Sequence, residues 1–242
     1  TFVSGISQDA SGVTVTYDGG QLAADRVVVA VPQTLAGRLR YLRIDPNAVW
    51  SVETSIRVLN ELADYDLEFC EDPTWGIEGM SLVRQRTPVP LATNMCCVTF
   101  EQIPLAVRTR ALDVILGDVH FWGGPSSVLQ LAKVCETFNI GMSLHSDREL
   151  GISTAAVLHV AAAEPMVSHS IDTHLIEQAD DIITVPFEFR DGRLDVRTGP
   201  GLGVEIDQDK LRFYHEYHRE HGEASEFADA MQADFRAKFP KF

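Results

Sequence analysis

The sequence predicts an α/β fold, an incomplete (β/α)8 barrel of the TIM type with about six βα units and a short β-rich N-terminal leader. Two observations carry this. Short apolar runs at 42–44, 67–70, 89–93, 112–117, 140–144 and 166–171 each give way to a polar residue: Asp45, Glu71, Asn94, Asp118, His145 and Asp172. Successive members of that series lie 23 to 27 residues apart, the length of one strand, one helix and two short loops. The runs also lack strict polar alternation, as expected of parallel strands covered on both faces. In a barrel the C-terminal strand ends converge on one cup, so these six side chains are the first candidates for function.

Helical patterns fill the gaps. Ser51 is a good N-cap with Glu53 in the first turn, and Ile56, Leu59 and Leu62 follow at helical spacing. Val128, Leu131, Ala132 and Cys135 repeat the pattern after the run at 112–117, with Pro125 and Ser126 suited to a helix start. Beyond Asp207 a polar, aromatic-rich helix is predicted to about Glu220, and 224–238 reads as another. At the other end, 13–17, the turn residues Asp18-Gly19-Gly20 and a run at 27–31 ending at Pro32 predict a hairpin followed by a strand. The domain reading is a β-rich leader over 1–41 and a barrel domain with C-terminal extension over 42–242.

The 242 residues are 45% apolar, enough for a large core. A net charge of −15 argues against nucleic acid or an anionic membrane as partner, since both select clustered Lys and Arg. No apolar stretch reaches the roughly 18 residues of a membrane span, and the first residues lack a signal-peptide pattern, so a cytoplasmic location is expected. Cys70, Cys96, Cys97 and Cys135 show no Cys-x-x-Cys spacing and are expected to be buried free thiols, with Cys70 in the wall between strands and helices.

Asp45, Glu71 and Asn94 end three successive runs. Three hard oxygen donors on one side of a cup suit an octahedral Mg²⁺ with water and substrate in the remaining positions; the alternative is a set of helix caps and rim hydrogen bonders. Asp118 and His145 end the next two runs and would form a dyad in which the carboxylate fixes the imidazole tautomer and raises its basicity. The alternative there is a histidine satisfied within the core. His120, His159 and His169 are less informative, and His159 reads as structural.

The motifs Arg43-Ile44-Asp45-Pro46-Asn47-Ala48, Glu71-Asp72-Pro73, Ala92-Thr93-Asn94-Met95, Gly117-Asp118-Val119-His120-Phe121-Trp122, His145-Ser146 and Ile171-Asp172-Thr173-His174 resemble the barrel domain of the enolase superfamily. Within it they resemble the glucarate dehydratase-like group of the mandelate racemase and muconate lactonizing enzyme type. The resemblance implies Mg²⁺ on Asp45, Glu71 and Asn94, holding the carboxylate of a small acid-sugar substrate. It implies His145 with Asp118 as general base or acid, in a reaction that removes the proton next to the carboxylate and eliminates water. By the same likeness Asn47, Ser146 and His174 contact substrate or leaving hydroxyl, and Asp172 orients neighbouring groups. The stretches 187–194 and 199–203 resemble the family's extension that returns to the capping domain.

The chain also departs from that family. Its members carry Lys-x-Lys on the second barrel strand, but the lysines here are Lys133, Lys210, Lys238 and Lys241. Arg38-Leu39-Arg40 mimics the spacing, but a guanidinium stays protonated and cannot act as a base. The first two barrel strands, the capping domain and the Cys-Gly-Ala-Glu continuation of typical glucarate dehydratases are also missing, so weak turnover or none is expected. Residues 24–38 within the leader resemble an internal segment of flavin-dependent amine oxidases, without the Gly-x-Gly-x-x-Gly turn that holds a flavin pyrophosphate. Two other functions compete: a non-catalytic barrel remnant acting as a binding or structural module, associating as a homo-oligomer through its open edge, and a flavoprotein fragment, the weakest of the three.

Overall fold

In the computed structural model of the chain, the described residues are the backbone of 3–9, 12–17 and 20–24, together with residues 42–146 and 149–222. β1 (Val3–Asp9), β2 (Gly12–Tyr17) and β3 (Gly20–Ala24) form an antiparallel sheet in that order. The β2–β3 pairing from Val13↔Ala24 to Tyr17↔Gly20 meets the expected hairpin. The predicted strand at 27–31, the helix at 224–238 and the Arg38-Leu39-Arg40 stretch lie outside the described residues.

The main body is a five-stranded parallel sheet whose spatial order is the chain order: β4 (Arg43–Ile44), β5 (Phe69–Glu71), β6 (Leu91–Thr93), β7 (Val114–Gly117) and β8 (Gly141–Leu144). Between them run α1 (Val52–Glu61), α2 (Ile77–Arg84), α3 (Ile103–Thr109) and α4 (Pro125–Phe138), and α5 (Gly151–Ala163) follows β8. α1 starts where its cap predicts, the Ser51 hydroxyl accepting the Thr54 N–H at 3.1 Å. α4 opens on Pro125 and buries Val128, Leu131, Ala132 and Cys135, the spaced positions. The sixth run is reduced: Val167 makes one parallel bridge to Met142, and the Ser168 N–H donates to the Met142 carbonyl at 3.3 Å.

Alternation sorts the strand residues into two faces. Ile44, Cys70, Leu91, Ile115, Met142 and Leu144 pack with helix residues such as Leu59, Met80, Val128 and Leu131. Phe69, Ala92, Val114 and Leu116 form a separate cluster on the other face. Gly117 falls on the helix side, where a Cβ would sit 3.0 Å from Met142 Cε and 3.3 Å from Leu131 Cδ2 and Val128 Cγ1. Close approach of α4 to β7 therefore requires glycine. All four cysteines are free and buried, and Cys70 lies in the strand–helix wall as expected.

The inner face is curled. Six adjacent strands in a flat sheet would put the first and the last about 24 Å apart. Instead an Arg43 guanidinium nitrogen donates to the Ser170 carbonyl at 2.7 Å, and its Nε donates to Glu68 Oε2 at 2.6 Å. His169 Nδ1 meets the other Glu68 oxygen at 2.7 Å, and the Arg43 guanidinium lies 4.4 Å over the Phe69 ring. Strand positions 43 and 69 thus reach across to 169 and 170, the curvature of a partial barrel. Burial pushes the Glu68 carboxyl up, but Arg43 and His169 outweigh it and hold it below the ordinary value of 4.5.

A group with a depressed folded value contributes stability above its unfolded value and loses it as pH falls through the folded one. Glu68→Gln, which strands the Arg43 charge, is therefore expected to cost about 2–4 kcal/mol in urea denaturation at pH 7. The deficit should shrink toward zero as the pH is taken below 4.5. Equal losses at pH 7 and pH 3 would show that the carboxylate charge is not what holds the curl.

Candidate active site

Two residues beyond the inner-face positions Arg43, Phe69, Ala92, Leu116 and Ser143, alternation brings Asp45, Glu71, Asn94, Asp118 and His145 to the same face. The site forms two halves, an acid half on β4–β6 and a histidine half on β7–β8.

In the acid half Asp45 Oδ1 accepts the Asn47 N–H at 2.7 Å. Asn47 and Ala48 both take left-handed backbone, φ 52° and 58°, which turns the chain so that the Ala48 N–H reaches the Asp72 carbonyl at 2.6 Å and Val49 bridges to Thr74. Burial raises Asp45 to about 7 against the pull of the Asn47 N–H, and Asp72 and Asp172 add to the rise. Glu71 is pushed well above its ordinary value by burial and then by Asp45, Asp172 and Asp72. Burial raises Asp172 and Asp72 as well. Asn94 Oδ1 is buried and has no hydrogen-bond partner. An unpartnered amide oxygen and carboxyls raised by burial at neighbouring strand ends are the donor chemistry of a hard divalent cation, so the residues fit one. Among the described residues no three or more His, Cys, Asp or Glu side chains stand in metal-holding geometry; the expected set has two carboxylates and an amide.

In the histidine half His145 Nδ1 meets Asp118 Oδ2 at 2.9 Å. Asp118 is 1% exposed, and its Oδ1 accepts the N–H groups of His120 at 2.6 Å and Phe121 at 3.2 Å. Burial pushes the Asp118 carboxyl up, but the His145 contact and these two N–H groups outweigh it and hold it below the usual range. Phe121 stacks on His145, centroids 6.3 Å apart and planes 21° from parallel. His120, which the sequence left without a role, bridges Asp118 Oδ1 at 3.2 Å and Ser153 Oγ at 3.0 Å, tying the β7 loop to the first turn of α5.

The four expected substrate contacts separate. Asn47 is exposed at the rim. Ser146 is buried; its hydroxyl donates to Glu149 at 2.7 Å and accepts the His174 N–H at 3.0 Å, so it acts inside the loop. Asp172 accepts the Ser146 N–H at 3.3 Å, and His174 Nδ1 faces Glu177 at 3.0 Å. The second residue missed by sequence reasoning is Asp72, which is wholly buried. The signal was its place directly behind Glu71, at a strand end where one residue points into the cup and the next away.

A family model described as enolase C-terminal domain-like matches residues 11–210, starting within the stretch read as a leader. A probable glucarate dehydratase of Streptomyces coelicolor is 48% identical over 174 residues, 72% of this chain and 40% of that protein. Muconate cycloisomerase 1 of Rhodococcus opacus is 28% identical over 188 residues, 76% of this chain and 50% of that one. Among solved structures, an isomerase from Streptomyces coelicolor A3(2) superposes with a TM-score of 0.74 at 50% identity, covering 76% of this chain and 50% of its own. An enolase from Thermobispora bispora, complexed with magnesium and formate, gives a TM-score of 0.72 at 49% identity over 75% of this chain and 44% of its own. The chain therefore spans half or less of the length of these relatives. It belongs to the enolase C-terminal domain-like family.

Proposed function

We propose that this chain carries the catalytic face of a Mg²⁺-dependent acid-sugar dehydratase, which takes the proton from the carbon next to a carboxylate and eliminates water. The carrying observation is that the Asp118–His145 pair and the residues Asp45, Glu71 and Asn94, with its unpartnered oxygen, end strands on one inner face, where His145 opposes the rise of Asp45. Asp45, Glu71 and Asn94 would hold the cation. When bound, it supplies stabilisation for negative charge that develops on the substrate carboxylate as the neighbouring proton leaves. The relative named glucarate dehydratase and the magnesium of the Thermobispora bispora structure support this reading.

With Asp118 on Nδ1, the His145 tautomer is set with Nε2 as the basic atom, and the buried carboxylate stabilises the imidazolium formed when Nε2 takes the proton. Phe121 covers one ring face of His145. Asn47 and His174 stand where they could meet substrate hydroxyls, and Ser146 and Asp172 hold the loop that carries His174. Four buried free thiols support a reducing, cytoplasmic setting.

One observation favours a second reading, a non-catalytic module. Among the described residues the lysines sit away from the cup: Lys133 pairs with Glu136 and Glu164, and Lys210 with Asp180.

MgCl₂ at about 100 times its Kd is expected to stabilise the chain by about 2.7 kcal/mol, read as a rise in melting temperature, with Glu71→Gln abolishing most of the gain. An unchanged response in the variant would remove Glu71 from the ligand set. With C6 acid sugars in D₂O, weak exchange of the proton next to the carboxylate is expected, lost in His145→Ala; turnover that survives in this variant would assign the base elsewhere.

A further inference from the structure

Asp72 is next to Glu71 but performs a different task. Its carboxylate is fully buried and reaches the next strand end: Oδ1 accepts the Thr93 hydroxyl at 2.5 Å, and Oδ2 accepts the N–H groups of Asn94 at 2.8 Å and Met95 at 3.1 Å. Thr93 Oγ1 in turn accepts the Cys96 N–H at 2.8 Å, which completes a turn around the Asn94 backbone. The Asp72 main chain binds both neighbouring strand ends. Its N–H donates to the Ala92 carbonyl at 3.0 Å, and its carbonyl accepts the Ala48 N–H at 2.6 Å, with φ of 34°. One residue therefore bonds to the strand-end segments that carry Asp45, Glu71 and Asn94.

We infer that Asp72 is the positioning residue of the cation site. It fixes the spacing of the three oxygen-bearing strand ends and sets Asn94 Oδ1 where no protein group satisfies it. The inference rests on the reading of Asp45, Glu71 and Asn94 as cation ligands. A residue with only a structural role would lower stability when changed. A positioning residue also controls the affinity of ligands it does not touch, typically by about 10- to 100-fold for an outer partner of a metal site.

The test is calorimetric titration of MgCl₂ into the full chain, paired with melting in EDTA, for the native sequence and four variants. Asp72→Asn keeps the size and one acceptor but cannot accept on both oxygens, and its Mg²⁺ Kd should rise about 10- to 100-fold. Thr93→Val removes only the hydroxyl partner and should weaken binding by a smaller factor; it decides the matter if Asp72→Asn does not fold. Ser81→Ala removes another buried hydroxyl, one that donates to the Thr109 carbonyl at 2.7 Å, outside the cup. It should lower the melting temperature and leave Kd unchanged. Glu71→Gln should abolish binding. Folded Asp72→Asn with a Kd within about twofold of the native value, or Thr93→Val with no change where Asp72→Asn does not fold, overturns the inference while leaving the cation site standing. Native protein that binds no Mg²⁺ overturns the site reading itself.

Discussion

Strict alternation along five short parallel strands, with helices sealing one face, is the constraint on which the rest depends. Because Cys70, Leu91, Ile115 and Met142 must meet the helices, their neighbours must face the other way, and each strand end delivers its polar residue to that side. A slip of one residue would drive Glu71 or Asp118 into the helix layer, at the cost of burying an unpaired charge. The hydrophobic pattern thus fixes the site geometry before any polar contact forms. The Arg43–Glu68–His169 network then curls the sheet and brings distant strand ends within electrostatic reach.

That curl has opposite consequences in the two halves of the cup. In the acid half burial raises Asp45, Glu71, Asp72 and Asp172, and neighbouring carboxylates add to the rise at Asp45 and Glu71, so ionising all of them opposes folding. In the histidine half, Asp118 is buried too but is held down by His145 and two backbone N–H groups. One enclosed space therefore holds carboxyls that resist charge beside a carboxylate that keeps it. Such separation is how a single site can bind a cation and move a proton. Positive φ at Asn47, Ala48 and Asp72 falls in the same acid half, so backbone strain and electrostatic strain coincide there.

Most of this architecture was legible in the sequence because it is local. The interval between strand ends is set by strand and helix lengths, Ser51 and Pro125 announce their helices, and the polar terminus of each run marks the cup. What was not legible depends on separation. Arg43 meets Ser170 across 127 residues and His169 meets Glu68 across 101, pairings that no spacing encodes. Ser146 is expected at the substrate from the family position it matches; packing adds what no motif shows, that its hydroxyl also bonds Glu149 and His174. Where the sixth run suggested a full strand, one bridge at Val167 remains, since an apolar run records burial and not the ladder that accompanies it. His120 went unread because its value lies in sharing the Asp118 carboxylate with His145 and in reaching Ser153 on another element.

The two halves are also braced separately. Asp72 gathers the ends of β4, β5 and β6 without touching β7 or β8, and Asp118 gathers His145, His120 and Phe121 without touching β4 to β6. Each brace is a buried carboxylate that accepts two backbone N–H groups and also meets side chains, the Thr93 hydroxyl at Asp72 and the His145 and His120 rings at Asp118. What joins the two halves is the field of His145, which opposes the rise of Asp45 and Asp172 across the cup.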